Sequence, residues 1–366
     1  MSNRATRRRC RVLLTTVLLA AALGVEPGAA LADPPPPSPF PDAVSANGSH
    51  LIDVRHETPK LVQAHAYSAS MNRSIDLLVL RAADESKPAP TMYLLNGANG
   101  GTEGNWLDET DLVDFFKDKQ VNVVIPIGGG GSYFTDWQRD DPLLGKLRWR
   151  TFLTEELPPV VDKAFNGNGT NSIAGLSMSG TSVFQLALAK PGLYQGLGSY
   201  SGCVRTSDEQ GQAMVNAVVA RQFGNASNMW GAPNDPAWAA NDPYLHADEL
   251  RGTSIYVSAG TGAPGPLDTL EGARGDVAHL AYSLLFGAPL EAVMRMCTDQ
   301  LKTRFDDLAI PATFDLRPSG THSWAYWEQD LYNSWPQFEK AMAAKAAEVS
   351  GAAGDSDKDS EEGPTG

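Results

Sequence analysis

Short apolar runs recur along this chain of 366 residues and alternate with segments of helical spacing. The runs are bounded by glycine, proline and small polar residues, which is typical of buried strands. The predicted strands are residues 75–81, 91–95, 121–127, 172–176, 197–200, 254–258 and 313–316. The predicted helices are residues 156–165, 181–189, 211–223 and 290–305. Alternating strands and helices predict an α/β fold, with a mostly parallel central sheet and helices on both faces.

The two ends of the chain differ in composition from its middle. Residues 1–32 combine an arginine-rich start, a short apolar run and a small-residue cleavage pattern, which is typical of an export signal. Residues 33–45 are rich in proline and predict an extended linker. Residues 46–345 predict one domain, and residues 346–366 predict a disordered acidic tail. We therefore expect a protein that is secreted or held in the cell envelope, without an integral membrane span.

Acidic residues outnumber basic ones, 43 to 29, and the formal net charge is −14. Removal of the predicted signal takes away five basic residues and one acidic residue, so the formal charge becomes −18. Such a surface repels phosphate groups, so nucleic-acid binding and attraction to anionic lipids are not expected.

Cys203 and Cys297 remain after the signal, and two cysteines in an exported chain favour one disulfide over two free buried thiols.

The strongest local motif is Gly175-Leu-Ser177-Met-Ser179, between a predicted strand and a predicted helix. A serine on a tight strand-to-helix turn is typical of a nucleophile elbow, which predicts Ser177 as the nucleophile. The helix N-terminus would place the Met178 amide as an oxyanion donor. Ser179 stands where the motif usually has glycine. The alternative is an ordinary strand-to-helix turn with a capping serine.

A glycine-containing loop follows the predicted strand 91–95. Such a loop supplies the second oxyanion donor in this type of site. Gly97 would let the chain bend so that the Ala98 amide points at the same oxygen. The alternative is a flexible glycine turn without a catalytic role.

Chain order limits the choice of base and acid, because the acid and then the histidine follow the nucleophile. His322 lies in a loop after the strand predicted at residues 313–316, so it is the predicted base, whereas His246 and His279 are interpreted as surface or packing residues. The acid would hold the imidazole in the correct tautomer. The residues alone leave five candidates open: Asp268, Glu271, Asp276, Glu291 and Asp299.

Nine motifs in one order resemble the antigen 85-type mycolyltransferases of mycolic-acid bacteria and their corynebacterial relatives. The similarity covers about residues 55–340. The motifs are Tyr93-Leu-Leu-Asn-Gly, Pro126-Ile-Gly-Gly, Tyr133-Phe-Thr-Asp-Trp137, Trp149-Arg-Thr-Phe-Leu-Thr-Glu-Glu-Leu-Pro158, Gly175-Leu-Ser-Met178, Met229-Trp-Gly231, Asp235-Pro-Ala-Trp238, Asn241-Asp-Pro243 and Gly320-Thr-His-Ser-Trp324. The resemblance implies a single α/β-hydrolase domain that needs no metal or cofactor.

The same resemblance implies Ser177 as nucleophile and His322 as base, and it favours Glu291 as the acid. It implies transfer of a mycolyl group from trehalose monomycolate to a second trehalose monomycolate or to arabinogalactan. The sequence leaves two rivals open. One is a secreted carboxylesterase that uses water as the acceptor, and the other is a non-catalytic protein that binds cell wall or matrix.

The sugar site departs from the family pattern. Family members have Asp-Gly-Leu-Arg where this chain has Asn96-Gly-Ala-Asn99, so an acid and an arginine that contact the sugar are missing. Asn96 and Asn99 remain candidates, because an amide both donates and accepts hydrogen bonds. Trp106 and Trp324 are the aromatic candidates for stacking on the sugar or the acyl chain. For both tryptophans the alternative is core packing.

Overall fold

The computed structural model describes residues 38–356, and the predicted export signal lies outside them. The strands are β1 (His50–His56), β2 (Leu61–Ser68), β3 (Arg73–Leu80), β4 (Ala89–Leu95), β5 (Asn122–Ile127), β6 (Gly167–Leu176), β7 (Tyr194–Tyr200), β8 (Ser254–Ala259) and β9 (Thr313–Leu316). They form one sheet in the order β1-β2-β3-β5-β4-β6-β7-β8-β9. The strands from β5 to β9 in this order pair in parallel, whereas β1, β2 and β3 pair antiparallel. The predicted fold class is confirmed.

The helices cover both faces of this sheet. The α-helices are α1 (Trp106–Glu109), α2 (Leu112–Phe116), α3 (Trp149–Thr151), α4 (Leu157–Ala164), α5 (Met178–Ala189), α6 (Glu209–Arg221), α7 (Ala226–Trp230), α8 (Pro236–Ala240), α9 (Val277–Tyr282), α10 (Ala288–Asp307) and α11 (Trp324–Ser356). Short π-helical turns occur at Phe152–Glu156 and Ser283–Gly287, and a 3₁₀ turn occurs at Ala247–Leu250.

The central strands are buried on both sides, as expected for parallel strands between two helical layers. Successive side chains of a strand point to opposite faces. In β5, Val124 belongs to one core cluster, whereas Val123 and Ile125 belong to the other. Helix α5 adds Phe184 to the first cluster, and α11 adds Phe338 to the second. The carboxyl ends of β4, β6, β7, β8 and β9 therefore meet at one edge of a rigid sheet.

Two strands and both boundaries of the predicted domain differ from the sequence analysis. Strands β1 and β2 were not predicted, because polar residues interrupt the apolar positions of an antiparallel edge. Part of the predicted linker is packed, since Ala43 is buried and Phe40 contacts Phe165. Helix α11 continues to Ser356, past the predicted tail boundary at 345, because residues 341–347 are rich in alanine, the strongest helix former.

One helical segment also qualifies by composition as a membrane span. Val277–Asp307 is 31 residues long and passes that test, contrary to the expectation from sequence. In the structure, Leu301 and Phe305 of this segment lie in the protein core. Glu291 of the same segment is fully buried and hydrogen-bonded to the backbone of Gly260. These contacts pack the C-terminal part of the segment into the domain, whereas only 22% of its most apolar 18-residue window is buried.

Candidate active site

The turn between β6 and α5 holds Ser177 in a strained backbone conformation. Its φ is 54° and its ψ is −121°, a region that costs about 1–3 kcal/mol for a residue other than glycine. The turn is tight, because a Cβ atom at Gly175 would lie 2.5 Å from Ser179 Oγ. Ser179 is buried and donates to the carbonyl of Leu95, so it fastens the turn to the neighbouring strand β4. This packing explains why a serine replaces the usual glycine at position 179.

The loop after β4 runs directly beside the serine turn. A Cβ atom at Gly97 would lie 2.9 Å from Leu176 Cδ1 and 3.6 Å from Ser177 Cβ, so the two segments are in close contact. The next residue, Ala98, lines the same cavity as Ser177 and Met178. The two residues whose amides are the predicted oxyanion donors therefore line the cavity together with Ser177.

His322 follows β9 and lines the same cavity as Ser177. Its Nδ1 atom lies 2.8 Å from Glu291 Oε2. A carboxylate only accepts, so Nδ1 carries the proton and donates it to Glu291. The Nε2 atom is buried and has no hydrogen-bond partner within residues 38–356, so its lone pair is not engaged by another group of the described chain. This is the tautomer that a general base requires.

Glu291 is fixed by two further donors. Its Oε1 atom accepts from Ser201 Oγ at 2.8 Å and from the Gly260 amide at 2.6 Å, and the side chain has no exposed surface. Ser201 follows β7 and in turn accepts from Trp327 Nε1 at 3.1 Å. The Trp327 ring also packs edge-on against the His322 ring, with centroids 4.8 Å apart. Three residues, which lie after β7, after β8 and on α11, thus hold the imidazole and the carboxylate in one orientation.

Among the five candidate acids, Glu291 is the one for which a hydrogen bond to His322 is observed. Asp268 instead accepts from Thr321 and Tyr326 and holds the loop that carries the histidine. Asp276 caps α9, Asp299 pairs with Arg295 on the surface, and Glu271 is exposed. Ser201 and Trp327 could not be predicted from the sequence, since nothing in their local motifs distinguishes them from packing residues.

A cavity of about 800 Å³ opens in front of Ser177 and His322. Its apolar lining residues include Met214 and Val218 of α6 and Leu290 and Met294 of α10. Its polar lining residues are Asn99, Glu103, Glu109, Asp276, His279 and Arg221. A cavity with both kinds of lining residue beside a serine nucleophile suits a ligand with a hydrocarbon part and a polar head.

Two of the four predicted substrate residues lie on this cavity. Asn99 and Trp324 line it. Asn96 does not, because it is fully buried and uses its amide to donate to the Pro126 carbonyl and to accept from the Trp106 amide. Trp106 is also fully buried and donates from Nε1 to the Leu95 carbonyl. The structure therefore corrects the expectation for Asn96 and Trp106, which support the loop and the core instead of contacting a ligand.

The disulfide between Cys203 and Cys297 is confirmed. Cys203 follows β7 and lines the cavity, whereas Cys297 lies on α10, six residues after Glu291. The bond joins segments 94 residues apart in sequence. It ties the helix that carries the acid to the edge of the sheet.

Among residues 38–356, no group of three or more His, Cys, Asp or Glu side chains is placed to share a metal ion.

Comparison with known proteins agrees with this geometry. The model of the family described as putative esterase matches residues 68–338. The diacylglycerol acyltransferase/mycolyltransferase Ag85B of Mycobacterium leprae is 31% identical over 292 residues, which cover 76% of this chain and 83% of that protein. The corresponding Ag85A of Mycobacterium tuberculosis is 30% identical over 288 residues, covering 76% of this chain and 80% of that protein.

Solved structures agree on the fold. Mycobacterium tuberculosis MPT51 (FbpC1) superposes with a TM-score of 0.62 at 24% identity, covering 75% of this chain and 96% of that one. FphF, a fluorophosphonate-binding serine hydrolase of Staphylococcus aureus, gives a TM-score of 0.55 at 16% identity, covering 77% and 98%. The chain belongs to the putative esterase family and, within it, to the antigen 85-type mycolyltransferase family.

Proposed function

We propose that this protein is a secreted serine acyltransferase that moves a mycolyl group from trehalose monomycolate to a second trehalose monomycolate or to arabinogalactan. One observation carries the proposal: Ser177 on its strained turn shares a cavity with the free Nε2 atom of His322, whose Nδ1 atom is held by buried Glu291. The relatives' description as diacylglycerol acyltransferase/mycolyltransferase supports the type of reaction.

The reaction has two halves with one covalent intermediate. His322 Nε2 takes the hydroxyl proton of Ser177, and Oγ forms a bond to the ester carbonyl carbon of the donor. When the tetrahedral intermediate collapses, the bond to the sugar oxygen breaks, and that oxygen leaves with the proton from Nε2. The acceptor hydroxyl then gives its proton to Nε2 and attacks the acyl group. Ser177 regains the proton when the new ester is released.

The amides of Ala98 and Met178 are the proposed oxyanion donors. Both residues line the cavity beside Ser177, and Met178 is the first residue of α5, where amides lack a partner inside the helix. One such donor contributes about 2.7–4 kcal/mol to transition-state stabilisation in comparable sites. Glu291 orients the imidazole and stabilises the imidazolium that forms in each half-reaction.

The lining of the cavity supports a glycolipid substrate. The apolar side chains of α6 and α10 suit a long acyl chain, and the carboxylates and the Asn99 amide among the lining residues can accept hydrogen bonds from sugar hydroxyls. Trp324 stands on the cavity and offers a ring face for a sugar. Of the four predicted substrate residues, Asn99 and Trp324 remain the proposed sugar contacts. The disulfide supports export, because such bonds persist in oxidising compartments.

The test is a lipid product assay. Purified protein is incubated with trehalose monomycolate, and the lipids are separated and weighed by mass spectrometry. We expect trehalose dimycolate from the native protein and none from Ser177→Ala. Ser86→Ala is a matched control, because Ser86 lies in an exposed loop. Free mycolate as the sole product would identify a carboxylesterase, and equal product from Ser177→Ala would reject Ser177 as the nucleophile.

A further inference from the structure

A buried cation lies beside the carboxylate that orients His322. Arg317 follows strand β9, and its Nη2 atom lies 3.7 Å from Glu291 Oε1. This distance exceeds that of a hydrogen bond. The Arg317 side chain is 11% exposed and Glu291 is 0% exposed, so water screens their interaction poorly. The guanidinium is therefore close enough to compete with His322 for the carboxylate, yet it does not bind it.

The direct partner of Arg317 is Asp330 on helix α11. Arg317 Nη1 donates to Asp330 Oδ1, and the Asp330 side chain has no exposed surface. The guanidinium also lies over the ring of Tyr326, 5.1 Å from its centroid. Asp330 and the ring thus hold the arginine from the side of α11.

The charges of Glu291, Arg317 and Asp330 explain why the pairing of Arg317 with Asp330 matters. With His322 neutral, Glu291 and Asp330 each carry a negative charge and Arg317 one positive charge. When His322 accepts the proton of the nucleophile, the four groups together become neutral. Without the charge of Asp330, Glu291 becomes the nearest full negative charge for the guanidinium, and a direct pair would draw its carboxylate away from His322.

Other titratable groups surround the cluster and define the conditions of a test. Burial raises the pKa of Asp330 to about 7, against the opposing effect of Arg317. Burial acts to lower the pKa of Arg317, but the nearby carboxylates outweigh it and raise that pKa. The other charged or titratable neighbours are Asp315 and Tyr256 on the sheet, Tyr326 on α11, Arg295 on α10 and Asp268 before α9. Measurements at pH 8 keep Asp330 ionised.

We propose that Asp330 is a positioning residue for Glu291: it engages the Arg317 guanidinium and so keeps that cation from replacing His322 as the partner of the carboxylate. The inference rests on the proposed function, since it takes Glu291 to be the group that orients His322.

The experiment compares Asp330→Asn with the double variant Arg317→Met/Asp330→Asn at pH 8. The asparagine keeps the shape but removes the charge, so kcat/KM for a short-chain nitrophenyl ester should fall by about tenfold or more, the penalty typical of weakened general-base catalysis. The double variant also removes the competing cation and should return to within a few fold of the native value. Asp306→Asn, which alters an exposed ion pair with Lys302, is the control and should have no effect.

A second readout does not need turnover. The Nδ1–H proton of His322 gives a downfield NMR signal while it is bonded to a carboxylate, and this signal should weaken or move in Asp330→Asn and return in the double variant. An inactive native protein that fluorophosphonate does not label would reject the proposed function, while the NMR comparison would still test the positioning role.

Two results would overturn the positioning role: native behaviour of Asp330→Asn, or equal impairment of the single and double variants. If Asp330→Asn does not fold, the double variant alone decides, because it removes both members of the Arg317–Asp330 pair and leaves neither of them unpaired. Near-native activity of the double variant would then support the inference, and a loss of tenfold or more would refute it.

Discussion

Replacing Glu291 with glutamine removes one charge while it keeps the shape of the side chain. Two donors, Ser201 Oγ and the Gly260 amide, meet at Oε1 at 2.8 and 2.6 Å. An amide has one oxygen, and these donors require it at that position. The new NH₂ group must then occupy the position of Oε2, where it faces Nδ1 of His322. Because NH₂ donates, the imidazole has to turn its lone pair to Nδ1 and its proton to Nε2.

The resulting tautomer cannot accept the proton of Ser177. The loss expected from a wrong histidine tautomer in a triad of this type is about 10⁴ in kcat. At about 1.36 kcal/mol for each tenfold change, this corresponds to roughly 5–6 kcal/mol of transition-state stabilisation. Stability should change much less, since both hydrogen bonds at Oε1 are retained and one buried charge is removed.

The assay is steady-state hydrolysis of a short-chain nitrophenyl ester, together with the rate of Ser177 labelling by a fluorophosphonate. Both should fall in Glu291→Gln, and urea unfolding should show an intact fold. Asp299→Asn on the exposed side of the same helix is the control. Activity of Glu291→Gln within tenfold of the native value would refute the argument that Glu291 fixes the tautomer.

Four further results are expected from the remaining contacts. Replacing Cys203 and Cys297 with alanine should lower the free energy of unfolding by roughly 2–5 kcal/mol in urea titrations, since a long loop loses its closure. Met294→Trp narrows the cavity and should reduce kcat/KM for long-chain esters about tenfold while short-chain esters are spared. Asn96→Leu should destabilise the protein by about 1–3 kcal/mol, because two buried backbone groups lose their partner. Burial raises the pKa of Asp162 to about 6, so the folded state binds this proton more tightly than the unfolded state. The free energy of unfolding should therefore decline from about pH 4 to pH 6, and it should decline less in Asp162→Asn.

The parallel half of the fold was predictable because its strands are buried on both faces and appear in the sequence as unbroken apolar runs. Strand β2 shows why the antiparallel edge was missed. Its burial alternates, with polar residues such as Gln63 and His65 between buried ones. The boundaries of α5 and α10 were close to prediction, because Ser177 and Pro289 mark the starts of their helices.

Prediction of the site from sequence was limited in a different way. Ser177 and His322 follow from motifs and chain order, and the resemblance favoured Glu291 among five acids. Asn96 was misjudged because its position in the chain matches a sugar ligand, whereas its side chain turns inward to the backbone of the next strand. Ser201, Arg317 and Asp330 come together only through the pairing of distant elements. No local pattern could have identified them.

The central claim is that Ser177 carries the acyl group between donor and acceptor. The most direct measurement is rapid quenching of the native protein with trehalose monomycolate, followed by mass spectrometry of the intact chain and its peptides. We predict one added acyl group on the peptide that contains Ser177, formed in the first turnover and lost when acceptor is supplied. Product formation without any acylated Ser177 would contradict the account.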